Sequence, residues 1–190
     1  MPSIQTLCVY CGSTGAVDPR YCEAARQLGA NLAAAGVAVV FGGGRIGLMG
    51  VLADAALAAG GRVVGIIPER LRDAELAHAG ASELVITASM HERKRLMAER
   101  ADAFAVLPGG IGTLDELFEI LTWRQLGLHD KPIFVVDVAG YWRPLRDLLD
   151  HLAAQGFVAP LIPRLLSVVA DVPQLMAVVV GSESGGVRRS

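Results

Sequence analysis

Two glycine-rich turns in the sequence have the composition of anion-binding loops. One runs from Gly42 to Gly50 and the other from Pro108 to Glu116, and each follows a short apolar run and precedes a helical segment. Glycines let a backbone turn with positive φ and approach a ligand closely, while amides at a helix N-terminus favour a phosphate. The two turns therefore predict a phosphate cradle. Tight turns needed for close helix–strand packing are the alternative.

Charged side chains that could act on a bound phosphate ester stand next to these turns. Arg93 and Lys94 fall in the first turn of a predicted helix and flank its apolar stripe, so both are expected at the margin of a cleft. Alternatively, their stems lie along apolar surface with the charges in water. Thr113 and Glu116 fit a capping box, with Glu116 reaching back to the Thr113 amide. Yet a carboxylate and an arginine beside an anion cradle also form a catalytic constellation.

The elements that position these residues alternate between short apolar runs and helical segments, which predicts repeated βα units. The predicted strands are Thr6–Tyr10, Ala38–Phe41, Val63–Ile67, Leu84–Thr87, Ala103–Leu107, Ile133–Val136 and Leu166–Val169. The predicted helices run from Asp18 or Pro19 to Gly36, and over Leu48–Ala59, Met90–Ala101 and Leu114–Leu126. We expect an α/β fold: a single Rossmann-like, doubly wound, mostly parallel sheet with helices on both faces. Residues 1–180 should form one catalytic domain, and residues 181–190 a disordered tail.

Composition narrows the classes of partner. The chain has 190 residues and a net charge of −2, so no basic field is available to hold a long nucleic acid. No run of about 20 apolar residues predicts a membrane span, and the cytoplasm is the expected location. Four scattered histidines offer no metal-ligand spacing, and we expect no metal or other cofactor. Cys8 and Cys11 are interpreted as buried apolar residues, with a redox pair as the alternative.

A dinucleotide site is a further alternative. Gly42, Gly44 and Gly47 match the G-x-G-x-x-G pattern, and the acidic residue Glu69 follows. However, the pattern stands after the second predicted strand rather than the first, and a dinucleotide would leave the Pro108–Glu116 turn unexplained. A dinucleotide-dependent oxidoreductase and a noncatalytic nucleotide-binding protein therefore remain as alternatives.

Together, these motifs resemble the signature of a known family. Pro108-Gly-Gly-x-Gly-Thr-x-x-Glu116, with Met90-His-x-Arg93-Lys94, is similar to the pattern of the LONELY GUY (LOG) proteins, which are cytokinin-activating phosphoribohydrolases. The resemblance extends from Cys11-Gly-Ser13 to Thr122-Trp123. Many relatives in this family carry an old label of lysine decarboxylase. The chain has only Lys94 and Lys131 as lysines, and nothing else in it suggests a pyridoxal phosphate site.

The resemblance implies an activity and a set of site residues. Arg93 and Glu116 match the family's catalytic pair, and the chain would hydrolyse the N-glycosidic bond of AMP or an N6-modified AMP as a homodimer. The implied substrate-binding residues are Glu75, Arg93, Lys94, Gly110, Ile111, Gly112, Thr113, Leu114, Asp115, Glu116 and Thr122. Glu75 has surroundings that depart from the family pattern, and Ser13 with Gly43 or Gly44 would be additional contacts.

The predicted chemistry follows from the bond that breaks. Cleavage between C1′ and the base develops positive charge on the ribose, so a carboxylate near C1′ can stabilise that charge and orient or deprotonate water. Glu116 is the candidate for this role, with Arg93 holding the substrate. A 5′-phosphate bound by Gly110, Gly112 and Thr113 would supply binding energy for orientation, so nucleosides should be poor substrates.

Overall fold

A seven-stranded parallel sheet forms the centre of the computed structural model, which describes residues 3–72, 76–158 and 165–181. The strands are β1 (Thr6–Tyr10), β2 (Ala38–Phe41), β3 (Val63–Pro68), β4 (Glu83–Thr87), β5 (Ala103–Val106), β6 (Ile133–Val136) and β7 (Ser167–Val169). The helices are α1 (Pro19–Ala34), α2 (Gly47–Ala58), α3 (Glu69–Arg72), α4 (Met90–Arg100), α5 (Ile111–Gln125), α6 (Arg143–Ala154) and α7 (Val172–Gly181). Each predicted strand is present within one residue of its expected ends. The five inner strands are almost wholly buried, as continuous apolar runs predict for parallel strands, while the edge strands β4 and β7 are partly exposed.

Helices cover both faces of the sheet, which confirms the predicted fold class. Alternate residues of β1 point to opposite sides, so Leu7 and Val9 pack with α1, α2 and α7, while Cys8 and Tyr10 pack with α4, α5 and α6. The core on each face of the sheet is built mainly from apolar side chains, and Leu7 and Cys8 are fully buried in these two cores. In the described ranges, no helix combines the length and apolar character that a membrane crossing requires.

The strand order places a crevice at the carboxyl edge of β1. The order is β4-β3-β2-β1-β5-β6-β7, so the chain winds outward from β1 in one direction and returns to β5 on its other side. The loops that follow β1 and β5 therefore diverge, and ligands of open α/β sheets bind in the crevice between such loops. The second glycine-rich turn follows β5 and thus lies at this position.

The start of α5 differs from the prediction. The helix begins at Ile111 rather than at Leu114, and Gly110 is its N-cap with no side chain capping it. Thr113 is consequently inside the first turn, and the predicted capping box is wrong because its Thr113 is not at the cap position. By contrast, Ser89 is a side-chain N-cap for α4: its hydroxyl oxygen accepts a hydrogen bond from the Glu92 amide at 3.2 Å.

A strained turn follows β6. Ala139 has φ 53°, a left-handed conformation that costs a residue with a Cβ atom about 1 kcal/mol or more. We therefore expect Ala139→Gly to raise the free energy of unfolding by about 1 kcal/mol, measured by urea denaturation. Ala55→Gly, in the middle of α2, is the control and should lower it by about 1 kcal/mol. Equal destabilisation by both changes would contradict strain at Ala139.

Candidate active site

A cavity of about 280 Å³ lies at the carboxyl edge of β1, β2 and β5. Residues 11–14 after β1, Gly42 after β2, two residues of α4 and the start of α5 line it. The two residues of α4 are Met90 and Arg93. The lining therefore comes from segments far apart in the sequence, which meet because parallel strands end at one edge of the sheet.

The central feature of this cavity is a buried ion pair. Arg93 Nη2 donates to Glu116 Oε1 at 3.1 Å, and the two residues are only 6% and 9% exposed. Nη1 of the same guanidinium faces the sulfur of Met90 at 3.4 Å. Because the cavity is small and lined by packed side chains, the carboxylate acts in surroundings where its charge is poorly screened by water. The arrangement can stabilise a positive charge that develops on a bound molecule.

Gly42 makes this pair possible. A Cβ atom at Gly42 would lie 2.1 Å from Arg93 Nη2, so any side chain there would displace the guanidinium. The other glycines of the first turn serve packing. Gly47 has φ 68° and abuts the backbone of Ser13, and the following Leu48 amide donates to Gly12 O at 2.9 Å. This contact uses an α2 amide that a dinucleotide pyrophosphate would need, which argues against the dinucleotide alternative.

The second glycine-rich turn presents an open helix N-terminus to the cavity. Gly110, Ile111, Gly112 and Thr113 line the space, and the first amides of α5 have no carbonyl partner within the helix. Further along the same helix, the carboxylate of Glu116 contacts Arg93. Helix amides without a capping side chain, reinforced by the helix dipole, suit a phosphate.

Lys94 has a different environment from the one predicted. Its amine donates to Asp115 Oδ2 at 3.1 Å and Glu119 Oε1 at 3.0 Å, and the residue does not line the cavity. Burial lowers the pKa of Lys94, but the hydrogen bonds to Glu119 and Asp115 outweigh it, so the pKa is raised overall. The amine of Lys131 donates to Ala98 O at 2.7 Å. Both lysines are thus engaged, and neither is placed to form a Schiff base in the cavity.

Some of the other predicted site residues line the cavity and others do not. Asp115 and Ser13 line the cavity, whereas Leu114 packs into the core beneath α5. Thr122 is exposed, and its hydroxyl donates to Phe118 O at 2.6 Å, away from the cavity lining. Gly43 turns with φ 77° against β3 and also stays out of the lining. Glu75 lies outside the described residues, as do residues 182–190 of the predicted tail.

Several lining residues were not predicted. Cys11, Gly12 and Thr14 follow β1, and Met49 and Met90 stand near the starts of α2 and α4. For the three residues after β1, their position directly after a strand at the carboxyl edge was the available signal. Burial raises the pKa of Cys8 and of Cys11, with the charge of Glu116 adding to the effect, so both remain neutral thiols as the apolar interpretation requires. Among the described residues, no cluster of three potential metal ligands occurs.

A larger cavity, of about 890 Å³, lies beyond β6 and β7 and is more open to solvent. Asp137, Arg143 and Arg146 contribute to its lining. Asp137 already accepts the Trp142 amide at 2.7 Å, and both arginines are exposed. Exposed cations bind anions weakly, so we assign the chemistry to the smaller cavity with its buried pair.

Comparison with known proteins identifies the family. A cytokinin riboside 5′-monophosphate phosphoribohydrolase of Rhodococcoides fascians is 42% identical over 179 residues, covering 94% of this chain and 90% of that protein. The chain belongs to the LOG family. A LOG protein of Arabidopsis thaliana with the same named activity is 41% identical over 170 residues, covering 90% of this chain and 78% of its own. The resemblance predicted from the two motifs is thus confirmed.

A family model described as "Possible lysine decarboxylase" also matches residues 49–179 of this LOG family chain. The engaged amines of Lys94 and Lys131 give that description no support from the site.

Solved structures share the fold at lower identity. The molybdenum cofactor carrier protein of Chlamydomonas reinhardtii has a TM-score of 0.71 and 21% identity, covering 92% of this chain and 94% of that one. The molybdenum cofactor binding protein of Rippkaea orientalis also has a TM-score of 0.71, with 19% identity, covering 97% and 100%. At these identities the likeness concerns the fold alone, and it agrees with the Rossmann-like architecture of the LOG family chain.

Proposed function

We propose that this protein hydrolyses the N-glycosidic bond of AMP or an N6-modified AMP and releases the free base and ribose 5-phosphate. The observation that carries the proposal is the buried Arg93–Glu116 pair, which shares one cavity with the uncapped start of α5. The names of the relatives from Rhodococcoides fascians and Arabidopsis thaliana support the same substrate class. No metal or cofactor enters the proposed reaction.

In the proposed reaction, one end of the cavity binds the 5′-phosphate and the other end carries out bond cleavage. The first amides of α5 bind the 5′-phosphate and hold the nucleotide, while Glu116 lies near C1′ of the ribose. The bond from C1′ to N9 breaks with its electron pair leaving on the base, and water attacks C1′. Glu116 stabilises the positive charge on the ribose and takes a proton from the water. Arg93 orients the carboxylate and the substrate. The departing base takes a proton from solvent, and Glu116 returns to solvent the proton that it took from the attacking water.

The direct test is product analysis with purified protein. AMP, N6-prenyl AMP and adenosine are incubated separately, and the products are separated by chromatography. Free base with ribose 5-phosphate is expected from the nucleotides, and almost none from adenosine, because adenosine lacks the group that the α5 amides bind. Nucleotide binding without any turnover would show a noncatalytic binding protein instead, and a bound nicotinamide absorbance would show an oxidoreductase.

Gly112→Val tests the phosphate end of the cavity. Gly112 needs no positive φ, and a Cβ atom there would meet nothing within 4 Å, so the strain expected from the sequence is absent and the variant should fold. The added side chain takes up space at the helix N-terminus, and we expect affinity for AMP, measured by calorimetry, to fall at least tenfold. Gly181→Val, at an equally open glycine at the end of α7, is the control. Unchanged affinity in Gly112→Val would place the phosphate elsewhere.

A homodimer is part of the proposal, and exposed apolar residues at the two ends of α5 support it. Leu117 and Leu121 in the middle of the helix are buried in the monomer's own core. Ile111, Leu126 and Leu128 are instead 83%, 66% and 68% exposed. A two-fold interface along α5 would bury these residues, of which Ile111 lines the cavity while Leu126 and Leu128 are at the other end of the helix. Light scattering should give a dimer, and a monomeric mass at full activity would contradict the dimer.

Two further expectations stay predictions. They are that residues 1–180 form one catalytic domain and that the protein is cytoplasmic.

A further inference from the structure

Three consecutive carbonyl groups in the loop between β5 and α5 are all held by donors. Gly12 N donates to Pro108 O at 3.1 Å, and Leu114 N donates to Gly110 O at 3.0 Å. Between them, the hydroxyl of Tyr141 donates to Gly109 O at 2.7 Å. The first two donors are backbone amides. Of the three, the Gly109 carbonyl is the one that accepts from a side chain, and this donor is 32 positions away in the sequence.

The Gly109 carbonyl controls the direction of the next amide. A peptide bond is planar and trans, so the carbonyl of Gly109 and the amide of Gly110 belong to one rigid plane and point in opposite directions. Gly110 lines the cavity at the start of α5. Anchoring the carbonyl on Tyr141 thereby orients the Gly110 amide, on the opposite side of the plane from the hydroxyl.

The loop itself offers little resistance to rotation of this peptide plane. Gly109 and Gly110 both lack side chains, and glycines leave the flanking dihedral angles free. Gly109 cannot be stiffened by a side chain, because a Cβ atom there would lie 2.1 Å from Thr113 Oγ1. A hydrogen bond from outside the loop supplies the restraint instead.

Tyr141 is 36% exposed, but two aromatic neighbours restrain its ring. Its ring packs edge-on against Tyr21 of α1, with centroids 5.3 Å apart, and against Trp142 at 4.8 Å. The strained turn at Ala139 and Gly140 precedes it, and Asp137 accepts the Trp142 amide just after it. Strained backbone of this kind persists where the surrounding structure requires it. Tyr141 does not itself line the cavity.

We propose that Tyr141 is a positioning residue for the phosphate-binding end of the cavity: its hydroxyl, through Gly109 O, aims the Gly110 amide at the 5′-phosphate. This role rests on the proposed nucleotide hydrolysis and adds to it a residue that neither sequence motif contains. The effect belongs to phosphate binding rather than to bond cleavage, because Tyr141 acts on the loop and not on Glu116.

The test is Tyr141→Phe, which removes the hydroxyl and keeps the ring, with Tyr21→Phe as the matched control on the partner ring. KM and kcat for AMP hydrolysis are measured, and the Kd of ribose 5-phosphate is measured by calorimetry. Tyr141→Phe should raise both KM and Kd by roughly three- to tenfold, the range for one lost hydrogen bond, with kcat changed less than twofold. Tyr21→Phe should leave all three values within twofold of the wild type.

The outcomes separate this inference from the proposed function. A wild-type protein that binds ribose 5-phosphate but releases no base would refute the hydrolysis, while the calorimetric comparison would still test Tyr141. Unchanged KM and Kd in Tyr141→Phe would overturn the positioning role. So would equal losses in Tyr21→Phe, since these would trace the effect to ring packing, or a fall in kcat alone, since this would place the effect on bond cleavage.

Discussion

Glu116→Gln is expected to lower the rate of base release from AMP by about 10²- to 10⁴-fold, the range for loss of a positioned acid–base group. The substitution removes the negative charge and keeps the shape of the side chain. The amide oxygen of Gln can still accept from Arg93 Nη2, which now contacts the carboxylate at 3.1 Å. The fold should therefore survive, and the substrate should still bind through its phosphate.

The matched control for this variant is Glu119→Gln. Glu119 is in the same helix and undergoes the same chemical change, but it pairs with Lys94 and does not line the cavity. Its activity should stay within a few-fold of the wild type. Product release is followed by chromatography, and folding by circular dichroism and thermal unfolding. A folded Glu116→Gln protein with near-normal turnover would remove Glu116 from the proposed mechanism.

Arg93→Met is expected to abolish most activity and to lower the free energy of unfolding by about 3–5 kcal/mol. The residue is 6% exposed, and Glu116 is 9% exposed. Removing the guanidinium takes this cation away from a buried carboxylate, and breaking one side of a buried ion pair is costly. Urea denaturation measures the loss. Arg95→Met, on the same helix, breaks only the exposed pair with Glu99 and should cost about 0.5 kcal/mol or less.

The double variant Arg93→Met with Glu116→Gln distinguishes this explanation from simple loss of packing. If the cost comes from breaking the ion pair, neutralising Glu116 should restore much of the stability that Arg93→Met removes. If the two losses instead add, the pair is not coupled, and the stability effect of Arg93 lies in its packing against Met90 and the Gly42 turn. Activity should stay low in the double variant under either result.

The sequence by itself determined the α/β architecture and which kinds of residue meet at the site: glycine-rich turns, an arginine and a glutamate. Apolar runs of four or five residues separated by helical periodicity were sufficient to place seven strands, because strands covered on both faces of a parallel sheet are continuously apolar. The same alternation placed both glycine-rich turns at one edge of the sheet. Arg93 and Glu116 could be brought together in this way because each follows a strand whose end is at that edge.

The tertiary structure alone decided which partner each side chain has. Local pattern placed Thr113 at a helix cap, yet α5 starts at Ile111 and has Gly110 as its N-cap. Glu116 is bound by a guanidinium from α4, a contact that the local pattern does not show. Lys94 likewise meets two carboxylates of α5 instead of lining the cavity.

Two further contacts join residues that are far apart in the sequence, and no local sequence pattern predicts them. Gly42 leaves room for the Arg93 guanidinium, and Tyr141 reaches Gly109. Strand order and helix rotation set these distances, and both are products of packing the whole chain around one sheet.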